Sequence, residues 1–172
     1  MRYYTVDRCN RYSHGYILNL TSHTDFTPQY LQDHVDTMFP FGVSFHGNNY
    51  FLNGSSSAST VNPNIELQWE YARRANYPGA PSRFTSMFAC ETLPDAREFA
   101  ERIGSGTIWE VDCDNSFRAD MSWLTLADSI LTVSHAVNAY WNHEPISRYR
   151  ITAASFWEIL IPLPATIGTQ VP

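Results

Sequence analysis

The sequence contains no lysine, so all 11 of its basic residues are arginines, against 17 acidic residues and a formal net charge of −6. Non-specific nucleic-acid binding depends on clustered lysine and arginine, and this acidic balance makes a nucleic acid an unfavourable partner. Two explanations of the missing lysine stay open. One is a GC-rich genome that favours arginine codons. The other is a protein that works inside a eukaryotic host and avoids the side chains to which ubiquitin is attached.

Cysteine is also scarce. Cys9, Cys90 and Cys113 are odd in number and have no C-x-x-C spacing, so the sequence suggests neither a disulfide framework nor a zinc site. The six histidines show no H-E-x-x-H or comparable spacing. We therefore expect reduced thiols and no metal.

Long apolar runs and common nucleotide motifs are missing as well. No stretch approaches the roughly 18 apolar residues of a membrane span, and the first residues show no apolar signal region. We expect a protein without a membrane partner, either cytoplasmic or secreted or injected into a host cell without a recognisable signal peptide. No G-x-G-x-x-G, P-loop or G-x-S-x-G motif is present, which disfavours Rossmann dehydrogenases, NTPases and α/β-hydrolases.

What the sequence does contain is ample material for a core. Its 172 residues are 44% hydrophobic and 15% aromatic, and only 16% are charged, which argues against disorder. A chain of this length fits one domain that spans residues 1–172.

Alternating and helical hydrophobic patterns predict an α+β fold. We expect strands at residues 3–6, 84–90, 107–113 and 156–161, with a strand or turn at 119–123. We expect helices at 28–38, between Asn64 and Asn76, at 93–103 and at 126–141. The region near 42–63 has no hydrophobic period and is rich in serine, which predicts a mobile loop that is either a lid or an insertion.

Glu158 is a lone carboxylate inside an otherwise apolar strand. A charge in that position costs free energy unless it is paired or lies in a cleft. It could face solvent or pair with an arginine. Alternatively, it is a catalytic carboxylate at the floor of a cleft.

Three segments together resemble a known superfamily. Residues 82–90 read S-R-F-T-S-M-F-A-C and precede a helix and a strand; the later segments are Tyr140-Trp141-Asn142-His143-Glu144 and Trp157-Glu158-Ile159-Leu160. This arrangement resembles the ADP-ribosyltransferase superfamily, including a small bacterial and phage family related to the mono-ADP-ribosyltransferases. The resemblance is best over residues 81–111 and next best over 156–161. It implies a split mixed β-sheet core with flanking helices, and transfer of ADP-ribose from NAD to a macromolecule, here expected to be a protein.

The same resemblance assigns the catalytic residues. Glu158 would stabilise the oxocarbenium character that builds on the ribose as the nicotinamide bond breaks. Ser86 fits the small polar position of the second motif. Thr5 stands where the family has His or Arg on the first strand, and its hydroxyl could hold a ribose hydroxyl, with Tyr4 beside it.

The remaining NAD contacts follow from the resemblance too. Arg8 and Arg83 would bind the phosphates. Met87 occupies the position of the nicotinamide-stacking tyrosine, so Phe88 or Tyr140 would pack the nicotinamide instead. Tyr140 and its neighbour Trp141 could equally be ordinary core residues.

Departures from the family pattern keep other functions open. Phe156 stands two residues before Glu158 where arginine-modifying toxins place Glu or Gln, so arginine specificity is not supported. Because Thr5 replaces His or Arg, the fold could be a degenerate one that binds NAD or a partner without turnover. An NAD glycohydrolase, in which water replaces the acceptor, is a third possibility. If the chain is a host-directed effector, its lack of lysine makes ubiquitin one candidate acceptor.

Overall fold

Seven strands form two antiparallel sheets in the computed structural model, which describes residues 1–54, 63–104, 106–125, 129–150 and 153–172. The first sheet has the order β1-β4-β7-β2 and the second has the order β3-β6-β5. The strands are β1 (Arg2–Asp7), β2 (Ile17–Leu18), β3 (Ser86–Ala89), β4 (Thr107–Asp112), β5 (Phe117–Asp120), β6 (Trp157–Pro162) and β7 (Ala165–Val171).

Five helices of the described ranges surround the sheets. They are α1 (Gln29–Met38), α2 (Phe45–Gly47), α3 (Pro63–Asn76), α4 (Leu93–Ile103) and α5 (Ile130–Trp141). A π-helical turn (Asn48–Leu52) follows α2, and single 3₁₀ turns lie at Arg83–Thr85, Met121–Trp123 and Ile146–Arg148. No helix within the described ranges is long and apolar enough to cross a membrane.

Local sequence signals account for the helix ends. The Thr92 hydroxyl accepts the backbone N–H of Asp95 to cap α4, which ends where Gly104 adopts a φ of 85°. Ser129 and Thr132 form a reciprocal capping box at the start of α5.

The two sheets pack face to face and the helices cover their outer sides. Met87, Ile159 and Ile161 belong to the apolar cluster between the sheets. Leu160, between those two isoleucines on β6, points the other way and packs with α3 and α5. Helix α4 covers the outer face of the first sheet, where Ala96 packs against Ile108. Because successive side chains of β6 point to opposite faces, this strand contributes to two separate apolar clusters.

The two sheets meet where β1 passes β3. Tyr4 N donates to Cys90 O at 3.0 Å and Cys90 N donates to Tyr4 O at 2.7 Å. One residue along, Thr5 Oγ1 donates to Phe88 O at 2.8 Å. These hydrogen bonds connect β1, the first strand of the chain, to β3 of the second sheet.

The structure confirms an α+β domain with flanking helices and corrects several details. Every strand pair among the described residues is antiparallel, so the expected mixed sheet is not observed. Part of the expected loop near 42–63 is helical, because Phe45–Gly47 and Asn48–Leu52 form helical turns. Its serine-rich part, 55–62, lies outside the described residues.

Other differences concern where elements begin and end. Residues 84 and 85 belong to a 3₁₀ turn, so β3 begins only at Ser86. Helix α5 begins at Ile130, whose apolar side chain is exposed, and residues 126–128 lie outside the described ranges. The sequence did not predict β2 or β7. Strand β7 follows Pro162 and Pro164, because the chain turns there from the second sheet to the first.

Candidate functional site

Arg83 is buried at the centre of a group of polar side chains, with only 4% of its surface exposed. Its Nε and Nη2 donate to the two carboxylate oxygens of Glu66 at 2.7 and 2.9 Å. Its Nη1 donates to Tyr140 Oη at 2.5 Å and to Glu158 Oε1. A buried guanidinium requires such partners, since an unpaired charge in the interior is costly.

Four separate elements supply these residues, which we call the Arg83 cluster: Glu66 from α3, Arg83 from the turn before β3, Tyr140 from α5 and Glu158 from β6. The alternation along β6 aims Glu158 away from the space between the sheets and toward the helices. Residues far apart in the sequence therefore meet between the second sheet and the two helices that cover it.

The two oxygens of Glu158 have different environments. Oε1 accepts hydrogen bonds from Tyr140 Oη, at 2.7 Å, and from Arg83 Nη1. Oε2 has no hydrogen bond to any residue that the structure describes, and it is not among the buried polar atoms that lack a partner. The residue as a whole is 7% exposed. Among the described residues, Oε1 therefore has two hydrogen-bond donors and Oε2 has none.

His46 and Phe88 lie beside the cluster. His46 Nε2 is 3.2 Å from Glu66 Oε1 but is not aligned for a hydrogen bond. The imidazole centroid is 4.7 Å from that of Phe88, and the Phe88 centroid is 4.7 Å from Arg83 Cζ. Phe88 and His46 are both partly exposed.

Electrostatics keeps the cluster charged. Burial acts to raise the pKa of Glu66, but the charge of Arg83, followed by that of His46, outweighs it and holds this pKa well below its usual range. Burial also opposes the charge of Arg83, yet Glu158 and Glu66 raise its pKa further. Burial raises the pKa of Tyr140 against the opposing influence of Arg83, so the phenol stays protonated. Glu66, Glu158 and Arg83, the three hydrogen-bonded charged groups, carry two formal negative charges and one positive charge.

The structure brings Glu158, Arg83, Phe88 and Tyr140 together, as a shared site requires. It does not bring the other predicted residues to them in an open position. Ser86 donates to Ser82 O at 2.7 Å and is buried.

Thr5 and Met87, two predicted residues on the neighbouring strands β1 and β3, also make their contacts inside the protein. The Thr5 hydroxyl is occupied by Phe88 O, and Met87 packs between the sheets. Tyr4 packs under α4 beside Cys90. Arg8 is exposed just after β1, where it has no ion pair with a described residue.

Sequence reasoning missed Glu66 and His46. A signal for Glu66 was present, because Glu66 and Glu70 lie four residues apart on the same face of α3 as Trp69 and Ile65. Two carboxylates on a buried helical face require cationic partners elsewhere in the chain. For His46 no such signal existed, since it lies in the segment that was expected to be a loop.

Glu70 forms a second buried network next to the first. Its carboxylate accepts from Arg73 and Arg74, at 2.9 and 2.7 Å, and from Ser82 Oγ at 2.8 Å. Because Ser82 directly precedes Arg83, the two networks fix the same turn from both sides. In the part of the chain that the structure describes, no group of three His, Cys, Asp or Glu residues could hold a metal ion.

Comparison with known proteins places the chain in a group without giving it an activity. A family model described as "Protein of unknown function (DUF2441)" matches residues 3–166, nearly the whole chain. No curated protein matches the sequence.

Proposed function

We propose that the chain, which belongs to the DUF2441 family, is a mono-ADP-ribosyltransferase that moves ADP-ribose from NAD to a protein. The proposed fold is that of the ADP-ribosyltransferases. The division of the strands between two sheets with helices on their outer sides supports this assignment, whereas the antiparallel pairing differs from the mixed sheet that the resemblance implies. A fold alone does not establish an activity, so the main support comes from the Arg83 cluster.

The observation that carries the proposal is the environment of the Glu158 carboxylate. Oε1 is fixed by Arg83 and Tyr140, while Oε2 has no hydrogen-bond donor among the described residues. A carboxylate held in this way needs no reorganisation to meet a positive charge that develops next to it. The ribose carbon that loses nicotinamide develops such a charge.

The charge balance of the cluster favours a cationic transition state. If Arg83 were paired with Glu158 alone, the two charges would cancel. Glu66 instead binds the same guanidinium through two hydrogen bonds and compensates it. Among these three groups the formal negative charges outnumber the positive one, which favours a substrate that becomes positively charged.

In the proposed reaction, the bond between the ribose and the nicotinamide nitrogen breaks and its electron pair leaves with nicotinamide. A nucleophile of the acceptor protein forms the new bond to the same carbon and loses its proton. Glu158 Oε2 stabilises the ribose at this point. We keep Phe88, which is partly exposed, as the residue that packs the nicotinamide, and the exposed Arg8 as the proposed phosphate ligand.

The geometry changes the roles of three residues. Arg83 is saturated by Glu66, Tyr140 and Glu158, so we assign it to positioning Glu158 rather than to binding phosphate. Thr5 and Ser86 use their hydroxyls inside the protein. We assign Thr5 to holding β1 beside β3 and Ser86 to fixing the turn before β3.

The occupied hydroxyls of Thr5 and Ser86 also favour a second candidate function, namely binding of NAD or of a partner without turnover. In that case the Arg83 cluster is a structural ion pair network. The two candidates make different predictions for Glu158, because a purely structural carboxylate affects stability and leaves no enzymatic activity to lose.

The proposed acceptor is a protein, and a host-directed effector is one setting for it, with ubiquitin as a candidate acceptor. The supporting observation is the absence of lysine among 11 basic residues, which removes every side chain that accepts ubiquitin. Codon bias explains the same absence, so this part of the proposal depends on the labelling experiment.

The purified protein incubated with NAD labelled in the adenine ring, alone and with eukaryotic lysate, tests the proposal. Transfer predicts labelled protein bands that disappear in the Glu158→Gln variant. Free ADP-ribose without labelled protein would indicate an NAD glycohydrolase instead. Saturable NAD binding with neither product would support the non-catalytic alternative.

A further inference from the structure

An open cavity of about 290 Å³ lies next to the Glu70 network and away from Glu158. Apolar side chains form most of its wall, including Leu20, Phe39, Phe41 and Leu163, and Arg73 and Arg74 line one side. A volume near 300 Å³ is at the small end of ligand pockets. The cavity thus combines an apolar wall with a cationic side.

The two arginines differ in what they can still bind. All three nitrogens of the Arg73 guanidinium are used, by Glu70 and by Ala80 O. Arg74 donates from Nε to Glu70 and from Nη2 to Met38 O. Its Nη1 has no hydrogen bond to any residue in the described ranges, and the Arg74 side chain is 33% exposed. Among the described residues, one guanidinium nitrogen of Arg74 is therefore without a partner.

The local charge is positive in a protein whose overall charge is −6. Glu70 is buried and carries one negative charge, while Arg73 and Arg74 carry two positive charges around it. The excess is +1. Arg74 is held in place by its two hydrogen bonds and by the Phe39 ring, whose centroid is 5.0 Å from Cζ. A fixed cation with a free donor favours an anionic group.

Phe41 stands at the edge of the cavity with 81% of its surface exposed. The backbone around it is fixed, since Gly42 N donates to Phe39 O and Val43 pairs with Thr21. Gly42 has a φ of +91°, and a Cβ there would lie 2.4 Å from Thr21 O, so the turn cannot easily change. A ligand that covers this exposed ring removes apolar surface from water, which favours binding.

We propose that this cavity binds a small organic anion, with the carboxylate or phosphate group on Arg74 and the apolar part between Phe39 and Phe41. The site lies apart from the Arg83 cluster, and the proposal does not depend on the proposed transferase activity.

Isothermal titration with benzoate and with phenyl phosphate tests the site, and the two probes show which anionic group it prefers. Benzyl alcohol serves as the neutral probe and inorganic phosphate as the probe without an apolar part. We expect saturable binding of at least one organic anion and at least tenfold weaker binding of the other two probes. Arg74→Gln should weaken binding about tenfold. Arg148→Gln, a change in an arginine outside the cavity, should leave it unchanged.

Arg74→Gln also removes hydrogen bonds to Glu70 and Met38 O, so a second variant is needed in case it does not fold. Phe41→Ser changes an exposed side chain and should weaken binding severalfold while the thermal unfolding midpoint stays the same. The proposal is overturned if neither organic anion binds saturably, if benzyl alcohol binds equally well, or if Phe41→Ser binds like the wild type.

Discussion

Glu66 and Arg83 form a two-point ion pair, in which Nε lies 2.7 Å from Oε2 and Nη2 lies 2.9 Å from Oε1. Both residues are buried, at 2% and 4% exposure. The pair connects α3 to the turn before β3 and fixes the guanidinium that holds Glu158. Four predictions concern this cluster and one concerns the core around it.

Arg83→Met should lower the free energy of unfolding by about 3–5 kcal/mol, because it leaves two buried carboxylates without their cation. Urea denaturation measures the change. Arg148→Met is the control, since the side chain of Arg148 is 68% exposed and its pair with Glu144 spans 3.8 Å. That change should cost less than about 1 kcal/mol. Similar losses in the two variants would argue against a buried network.

The Glu66 pair should make stability depend on pH. Burial acts to raise the pKa of Glu66, but Arg83 and His46 lower it well below the usual 4.5, so the unfolded chain binds this proton more readily. The stabilisation is present above about pH 4.5 and is lost as pH falls from there toward the lower folded pKa. Unfolding of wild type and Glu66→Gln measured from pH 7 to pH 3 should show a smaller acid-induced loss in the variant. Parallel curves would contradict the lowered pKa.

Tyr140→Phe should reduce kcat by up to about 100-fold and leave KM nearly unchanged, because Glu158 Oε1 loses the donor at 2.7 Å that fixes its position. Steady-state kinetics of NAD consumption measures both constants. Tyr77→Phe is a matched control, since that hydroxyl also bonds α5, at Asn138, but lies away from Glu158. An unchanged kcat in Tyr140→Phe would remove the positioning role.

Cys90 should be inert toward thiol reagents until the protein unfolds. Burial raises the pKa of its thiol to about 12, and the nearby carboxylates of Asp95, Glu158 and Glu98 add to the effect. Cys9 is exposed and Cys113 is partly buried. Labelling with a chromogenic disulfide at pH 8 should modify Cys9 first and Cys90 only in denaturant. Fast reaction of Cys90 in the Cys9→Ser variant would show that this core is open.

Much of the fold could be predicted because its signals are local. Helix α4 has a threonine cap, a proline in its first turn and a glycine at its end, and β4 places Trp109 and Val111 on one face, so both match the sequence prediction. Strand β7 could not be found in the same way. Its sequence follows two prolines and is held by pairing with β4, a distant part of the chain.

The candidate site was only partly predictable for the same reason. Glu158 was conspicuous as a charge among apolar residues, and its pairing with an arginine was one of the two possibilities considered. That the arginine is Arg83, and that Glu66 shares it, depends on how α3 packs against the second sheet. Thr5 and Ser86 have the residue type that a ligand contact needs, yet their hydroxyls bond backbone carbonyls, and no sequence pattern distinguishes the two uses.

The most direct test of the account is NAD turnover by Glu158→Gln, measured as nicotinamide release in the presence of lysate. The substitution keeps the size of the side chain, and the amide oxygen can still accept from Tyr140, so the fold should persist, as circular dichroism can verify. Glu91→Gln is the control, since Glu91 pairs with Arg118 at the surface. We predict a loss of about 100-fold or more for Glu158→Gln and full activity for Glu91→Gln. A Glu158→Gln variant that releases nicotinamide at the wild-type rate would contradict the central claim.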